Sequence, residues 1–313
     1  MKLLIKLLPA VAAMMLSLTS CGDDPDSQWA DYVPARLPAD TCSYRNSTIW
    51  LRHHDSSLKI LAIGNSFTIN AATFIPGLVG SLNADSICVA RLTRSGCSLD
   101  MHWASHVYGS PDYDLHYSDA GRWASADIRT IDGALQLFDW DIIVIQQASY
   151  WSGMYSTFQP YLDNLARLFR ETNPGAKLAW HYTWAYTPTT QHSGFANYGY
   201  DSDKMFEAIM KAGDEASKAF DIRIPSALLI KRMREEFADV EDGFSEDGYH
   251  IADNLALYAL SSLWYEVLVG PSTGISSIGL AQIPSGVDAE DMEKVGKIIR
   301  SLAQTGTLAV RHQ

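Results

Sequence analysis

Cysteine is scarce in this chain: four residues in 313, at positions 21, 42, 88 and 97. That excludes a small fold held together by a disulfide framework. Positive charge is scarce too, with 24 lysines and arginines against 36 aspartates and glutamates and a formal net charge of −12. So acidic a balance argues against nucleic acid or an anionic membrane surface as a partner. There is no internal repeat and no low-complexity tract. What remains is long enough to bury a substantial core in one large α/β domain with tails.

The first twenty residues stand apart from that domain. Lys2 and Lys6 precede an apolar stretch through Leu18, broken only by Pro9 and Ser17. A charged start, a short apolar middle and small residues after it describe an export signal, too short for a membrane span. Leu18-Thr19-Ser20-Cys21 resembles a bacterial lipobox, which implies cleavage before Cys21 and lipid on that cysteine. Losing Lys2 and Lys6 takes the formal charge from −12 to −14, so any membrane attachment is expected through the lipid alone. Residues 21–57 are polar and proline-bearing without a period, and are expected to form a tether. Their acidic run Asp23-Asp24-Pro25-Asp26 is either a solvated linker or, by resemblance, a cell-surface export signal of Bacteroidetes-type lipoproteins. If Cys21 is lipidated, Cys42, Cys88 and Cys97 remain, an odd number, and Cys88 and Cys97 are expected either to pair or to stay free.

From residue 58 to 313 short apolar runs alternate with amphipathic ones. Strands are expected at 58–63, 87–90, 141–145, 178–183 and 222–225. Helices are expected after Ser66, disturbed by Pro76, and at 131–138, 155–170, 205–220, 252–269 and 288–303, the last capped by Asp288. The alternation predicts a three-layer α/β/α sandwich around a central, mostly parallel sheet. A ligand site is expected beyond the carboxyl ends of the strands, where Ser66, Gly96, Gln146 and Gln147 all fall.

Ser66 lies in Gly64-Asn65-Ser66-Phe67-Thr68, at the change from the first strand to a helix. A serine at such a turn can be held exposed beside the free N–H groups of the helix start. Far downstream, Asp247-Gly248-Tyr249-His250 supplies a carboxylate and an imidazole three residues apart. With Gly96 after the second strand and Gln146-Gln147 after the third, this order resembles the SGNH (GDSL-type) hydrolase superfamily. Within it, the segment 58–270 resembles a domain family of unassigned function from Bacteroides-like organisms. The resemblance implies an SGNH or flavodoxin-like fold, with Ser66 as nucleophile, His250 as its base and Asp247 orienting the imidazole. It also implies an oxyanion hole built from the N–H groups of Ser66 and Gly96.

Two departures from the superfamily pattern stand out. Its Gly-Asp-Ser is Gly-Asn-Ser here, and its Gly-x-Asn-Asp motif after the third strand is absent. Gln146 or Gln147 is expected to replace the missing asparagine amide, and alternation along a strand lets only one of them face the site. Substrate contacts are expected from Asn65, Trp151, His181 and Trp184, the last within one of two aromatic-rich loops, 108–123 and 184–200, that could stack on sugar faces. His102 and His106 share helical spacing but lack a third ligand, so no metal and no cofactor is expected. The expected activity is hydrolysis of O-acyl esters, O-acetyl esters on glycans foremost, in an extracytoplasmic lipid-anchored protein. A glycan-binding protein with little or no turnover, and an acyltransferase, are the alternatives.

Overall fold

A computed structural model describes residues 44, 46–82, 86–281 and 283–304. Residues 1–43, with Cys21, Cys42 and the expected signal segment, lie outside the described residues. The helices are α1 (Thr48–His53), α2 (Ser66–Ala71), α3 (Ile75–Ser81), α4 (Leu99–Tyr108), α5 (Ile131–Leu135), α6 (Tyr161–Thr172), α7 (Ser202–Ala216), α8 (Ser226–Glu236), α9 (Asn254–Leu268), α10 (Gly270–Thr273) and α11 (Ala289–Gln304). The strands are β1 (Leu58–Gly64), β2 (Ile87–Thr93), β3 (Asp114–Asp119), β4 (Arg122–Ala126), β5 (Ile142–Ile145), β6 (Lys177–His181) and β7 (Ile222–Ile224).

They form one sheet in the order β4-β3-β2-β1-β5-β6-β7. β2, β1, β5, β6 and β7 are parallel, and all four residues of β5, Ile142 to Ile145, are buried. Such a run is what a strand covered on both faces requires. The covering layers follow from helix periodicity. In α6, Leu162, Leu165, Ala166 and Phe169 are buried, one stripe of a two-sided helix. α9 is buried nearly all round, because α2, α3, α8 and α11 pack against it. α4 packs with α5 and α6 in a separate layer. Pro76 does more than disturb a helix: α2 ends at Ala71 and α3 restarts at Ile75, with Pro76 in the first turn where its missing N–H costs nothing.

Two sequence expectations change, and one left open is decided. The loop expected across 108–123 contains most of an antiparallel hairpin, β3–β4, turning at Ala120 and Gly121 with φ of +47° and +79°. Tyr113 and Tyr117 therefore bury against the core, as do Trp184, Tyr186, Phe195 and Tyr198 of the other aromatic loop, whereas Tyr108 and Tyr200 stay exposed. The rings close the loops onto the domain. Cys88 and Cys97 are both free, and burial pushes their thiols up to about 12 and about 11. Lastly, the end of the expected tether is part of the fold. Ser47 caps α1, Ile49 is fully buried, His53 packs edge-on against Tyr117, and Arg52 pairs with Asp119 at 2.7 Å.

Ile49→Ala is therefore expected to lower stability by about 2–5 kcal/mol, as for other buried Ile truncations. The midpoint of urea unfolding measures it; an unchanged midpoint would return this segment to the tether.

Candidate active site

Ser66 sits where the chain leaves β1 and enters α2, at the point from which connections run to β2 on one side and β5 on the other. Ligands of open α/β sheets collect at such a switch point. Gly64 makes the turn possible: a Cβ there would lie 2.1 Å from Thr68 Oγ1. Asn65 is the N-cap of α2, its Oδ1 accepting from the Phe67 N–H at 3.0 Å. Ser66 is half-buried and begins the helix, so its own N–H has no partner within the helix.

His250 Nε2 lies 2.8 Å from Ser66 Oγ, and His250 Nδ1 lies 2.7 Å from Asp247 Oδ2. The carboxylate accepts from Nδ1–H, which leaves Nε2 free to accept the serine proton. Burial pushes the Asp247 carboxyl up, but the N–H groups of His250 and Tyr249 on Oδ1, at 2.7 and 3.0 Å, and the imidazole on Oδ2 outweigh it. The net shift is downward, so the group stays ionised. The loop that carries this pair is closed on itself and tied down from several sides. Ser245 bridges to Ile251 and donates from Oγ to the His250 carbonyl at 2.7 Å. Gly248, at φ +83°, lies so close to Thr190 that a Cβ would stand 2.5 Å from its Cα. Trp184 Nε1 donates to the Tyr249 carbonyl at 2.8 Å, and Asn70 Oδ1, on the helix that starts with Ser66, accepts from the Ile251 N–H at 3.2 Å.

The other expected site residues divide. Gly96 lies in the loop after β2 with φ +61°, exposed, and Tyr150 Oη donates to its carbonyl at 3.3 Å. Trp151 is half-buried and edge-on to Tyr150, at that rim. Neither glutamine joins them. Gln146 is fully buried: its Nε2 donates to Asn65 Oδ1 at 2.7 Å, and its Oε1 accepts from Thr68 Oγ1 and His181 Nδ1. Gln147 turns to the opposite side, Oε1 accepting from the Leu99 N–H and Nε2 donating to Thr157. Alternation does send the two amides to different places, and neither place is the site. Asn65, 2% exposed, is a brace and not a substrate contact, because Nδ2 donates to the Cys97 carbonyl at 3.0 Å while Oδ1 is already shared.

His181 and Trp184 are likewise internal. Trp184 is fully buried and stacks on Phe67 at 4.4 Å. His181 Nε2 faces Ser226 Oγ at 2.9 Å, and burial takes its pKa down to about 3, so the ring is neutral. His102 and His106 do not converge: His102 bonds Tyr113 Oη at 2.8 Å inside the core and His106 pairs with Asp132 at 3.0 Å. Among the described residues no cluster of three or more His, Cys, Asp or Glu is placed to hold a metal. Sequence reasoning missed Asn70, Tyr249 and His192 around the triad; the only signal for Tyr249 was its place inside the Asp-x-x-His motif.

Residues 59–277 match the family model of DUF4886, a domain of unknown function, and the chain belongs to that family. A crystal structure of a DUF4886 family protein from Bacteroides uniformis is similar at 28% identity, with a TM-score of 0.72 over 81% of this chain and 97% of that one. A proposed SGNH hydrolase from Slackia heliotrinireducens is similar at 18% identity, TM-score 0.46, over 67% of this chain and 97% of that one. An acetylxylan esterase from Geobacillus stearothermophilus is similar at 13% identity, TM-score 0.42, over 74% and 99%. No curated protein matches. The mostly parallel central sheet with flanking helices is the fold expected from the sequence, and the DUF4886 structure shares it.

Asn65→Asp introduces a carboxylate that cannot donate to the Cys97 carbonyl. It is expected to cost about 1–3 kcal/mol, the range for a buried polar group left without its partner, measured by denaturant unfolding. His181 and His102 both have folded pKa values lowered to about 3 from 6.5. The unfolded chain binds these protons first, so stability is full above 6.5 and falls as pH drops from there toward about 3. A thermal-melt series over that window, with His181→Gln showing a shallower decline than the parent, checks it.

Proposed function

We propose that the chain is a serine esterase that hydrolyses O-acyl esters, O-acetyl esters on glycans foremost, through an acyl-enzyme. The observation that carries it is the continuous Ser66–His250–Asp247 relay, 2.8 and 2.7 Å at its two links, with Ser66 at the open end of the sheet. Ser66 Oγ attacks the ester carbonyl carbon as His250 Nε2 takes its proton. Asp247 stabilises the imidazolium and keeps Nδ1–H pointed at itself. Negative charge forms on the former carbonyl oxygen, where the N–H groups of Ser66 and Gly96 receive it. The tetrahedral species collapses, His250 returns the proton to the departing alcohol, and Ser66 carries the acyl group as an ester. Water, deprotonated by the same imidazole, reverses the sequence and frees the acid.

A small acyl group and a polar alcohol suit a site with no long apolar lid beside Ser66 among the described residues. Location is part of the proposal: export, lipid on Cys21 and residence outside the cytoplasm place such an enzyme among extracellular glycans. A slower catalyst, tending toward a glycan-binding role, is favoured by one observation, the withdrawal of Gln146 and Gln147 into the core. Loss of one oxyanion donor costs roughly 3 kcal/mol in comparable sites, so turnover about a hundredfold below a three-donor enzyme is expected.

Fluorophosphonate labelling of the purified domain is expected to occur at Ser66, vanish in Ser66→Ala and fall steeply in His250→Ala. Asp247→Asn is expected to lower kcat for para-nitrophenyl acetate by roughly a thousandfold or more, through loss of the correct tautomer. A folded wild-type protein that neither labels nor releases acetate would sink the esterase proposal.

A further inference from the structure

His192 is a half-exposed imidazole in the loop after β6 that the triad chemistry does not use. Its setting is built in detail. Nδ1 accepts from the Gly194 N–H at 3.0 Å, capping a short turn of helix, and an N–H can only donate. The neutral ring therefore carries its proton on Nε2. Burial and the neighbouring His250 both push its pKa down, against a smaller upward pull from Asp247, which favours that neutral form. Three aromatic rings hold the imidazole in place: Tyr150 nearly parallel at 5.9 Å, Tyr249 edge-on at 4.9 Å and Tyr186 tilted at 5.1 Å. Gly194 is needed for this fit, since a Cβ there would stand 2.3 Å from Tyr150 Cβ and 3.1 Å from His192 Nδ1.

The neighbours of His192 fix which part of a substrate it meets. Tyr249 lies between it and the catalytic base, 4.2 Å from His250 ring to ring, and Tyr150 reaches the Gly96 carbonyl at the edge of the oxyanion hole. Tyr150, His192 and Tyr249 thus form a wall running from the oxyanion side to His250, all three half-exposed. His250 must reach the departing alcohol oxygen to protonate it, so the wall nearest His250 flanks the alcohol half of the ester. A fixed N–H donor there has use only for an alcohol that carries further oxygen acceptors, and ring faces beside it suit a flat-sided, hydroxyl-bearing ring.

We propose, given Ser66 as an esterase nucleophile, that His192 is a specificity-determining residue whose Nε2–H donates to the alcohol half of the substrate, selecting sugar-ring esters over esters of simple alcohols. The contact orients the leaving group and takes no part in proton transfer.

Two variants separate this role from a structural one. His192→Phe removes both the cap on Gly194 and the donor. His192→Asn keeps a side-chain acceptor for the Gly194 N–H, as asparagine commonly does at such positions, but its amide is too short to reach where Nε2 stands. Both are expected to lower kcat/KM for an acetylated methyl glucoside by about five- to tenfold, the worth of one neutral hydrogen bond, and to leave ethyl acetate, whose alcohol half has neither ring nor further acceptor, within about twofold. In a Ser66→Ala background, His192→Asn is expected to raise the Kd of the same acetylated glucoside by a similar factor, read by NMR titration. Equal losses on both esters, a loss confined to His192→Phe, or a Kd that His192→Asn does not move would each overturn the proposal. Wild-type protein that turns over neither ester while the Kd shift persists would remove the esterase reading and leave the His192 contact standing.

Discussion

Everything at the open end of this sheet rests on one buried chain of hydrogen bonds beneath Ser66. Asn65 Nδ2 donates to the Cys97 carbonyl, so its Oδ1 must be the acceptor for Phe67 N–H and Gln146 Nε2. Gln146 Oε1 then accepts from Thr68 Oγ1 and from His181 Nδ1–H, and His181 Nε2 is left to accept from Ser226 Oγ. Each link fixes the orientation of the next, and no member has a free choice of rotamer or tautomer. In one run the chain ties the loop after β2, the start of α2, the end of β5, the end of β6 and the start of α8. A fully satisfied buried network of this kind is rigid, because breaking any link leaves a polar group with no water to replace it.

Ser66 is therefore held from below, by long-range bonds, while His250 is held from within its own loop. The stretch from Ser245 to Ile251 closes on itself through the Asp247 and Ser245 side chains and then docks through Gly248, Tyr249 and Ile251. Ser66 and His250 are 184 residues apart in sequence. Bringing two such segments to 2.8 Å costs conformational entropy that no single contact offsets. Phe67 and Trp184 share that burden: the serine's neighbour stacks on the tryptophan, whose indole N–H holds the carbonyl next to the histidine.

The same network accounts for the asparagine at position 65 and for the two buried glutamines after β5. An amide at position 65 can accept twice and donate once, which a carboxylate cannot do, and the glutamine it engages is thereby taken out of reach of the substrate. The oxyanion hole we propose is left to backbone N–H groups, whose positions are set by the helix start at Ser66 and the left-handed turn at Gly96. In the proposed reading, polar selectivity moves to the other wall, where Tyr150, His192 and Tyr249 stand half-exposed.

The five parallel strands and the serine with its Asp-x-x-His partner were legible in the sequence, because each is written locally, in an apolar run or a short motif. The β3–β4 hairpin was not, since Leu115 and Tyr117 alternate with polar residues over too short a span to stand out from a loop. Nor was α1, a six-residue helix whose buried residues are Ile49 and His53, too short for a period to show. Among the expected substrate contacts, Asn65, His181 and Trp184 are buried and engaged with internal partners instead. The sequence by itself determined which residues gather at the carboxyl ends of the strands. Only the tertiary structure decided which of them face outward, because that depends on where each amide and ring finds its hydrogen-bond partner, and those partners come from segments far apart in the chain.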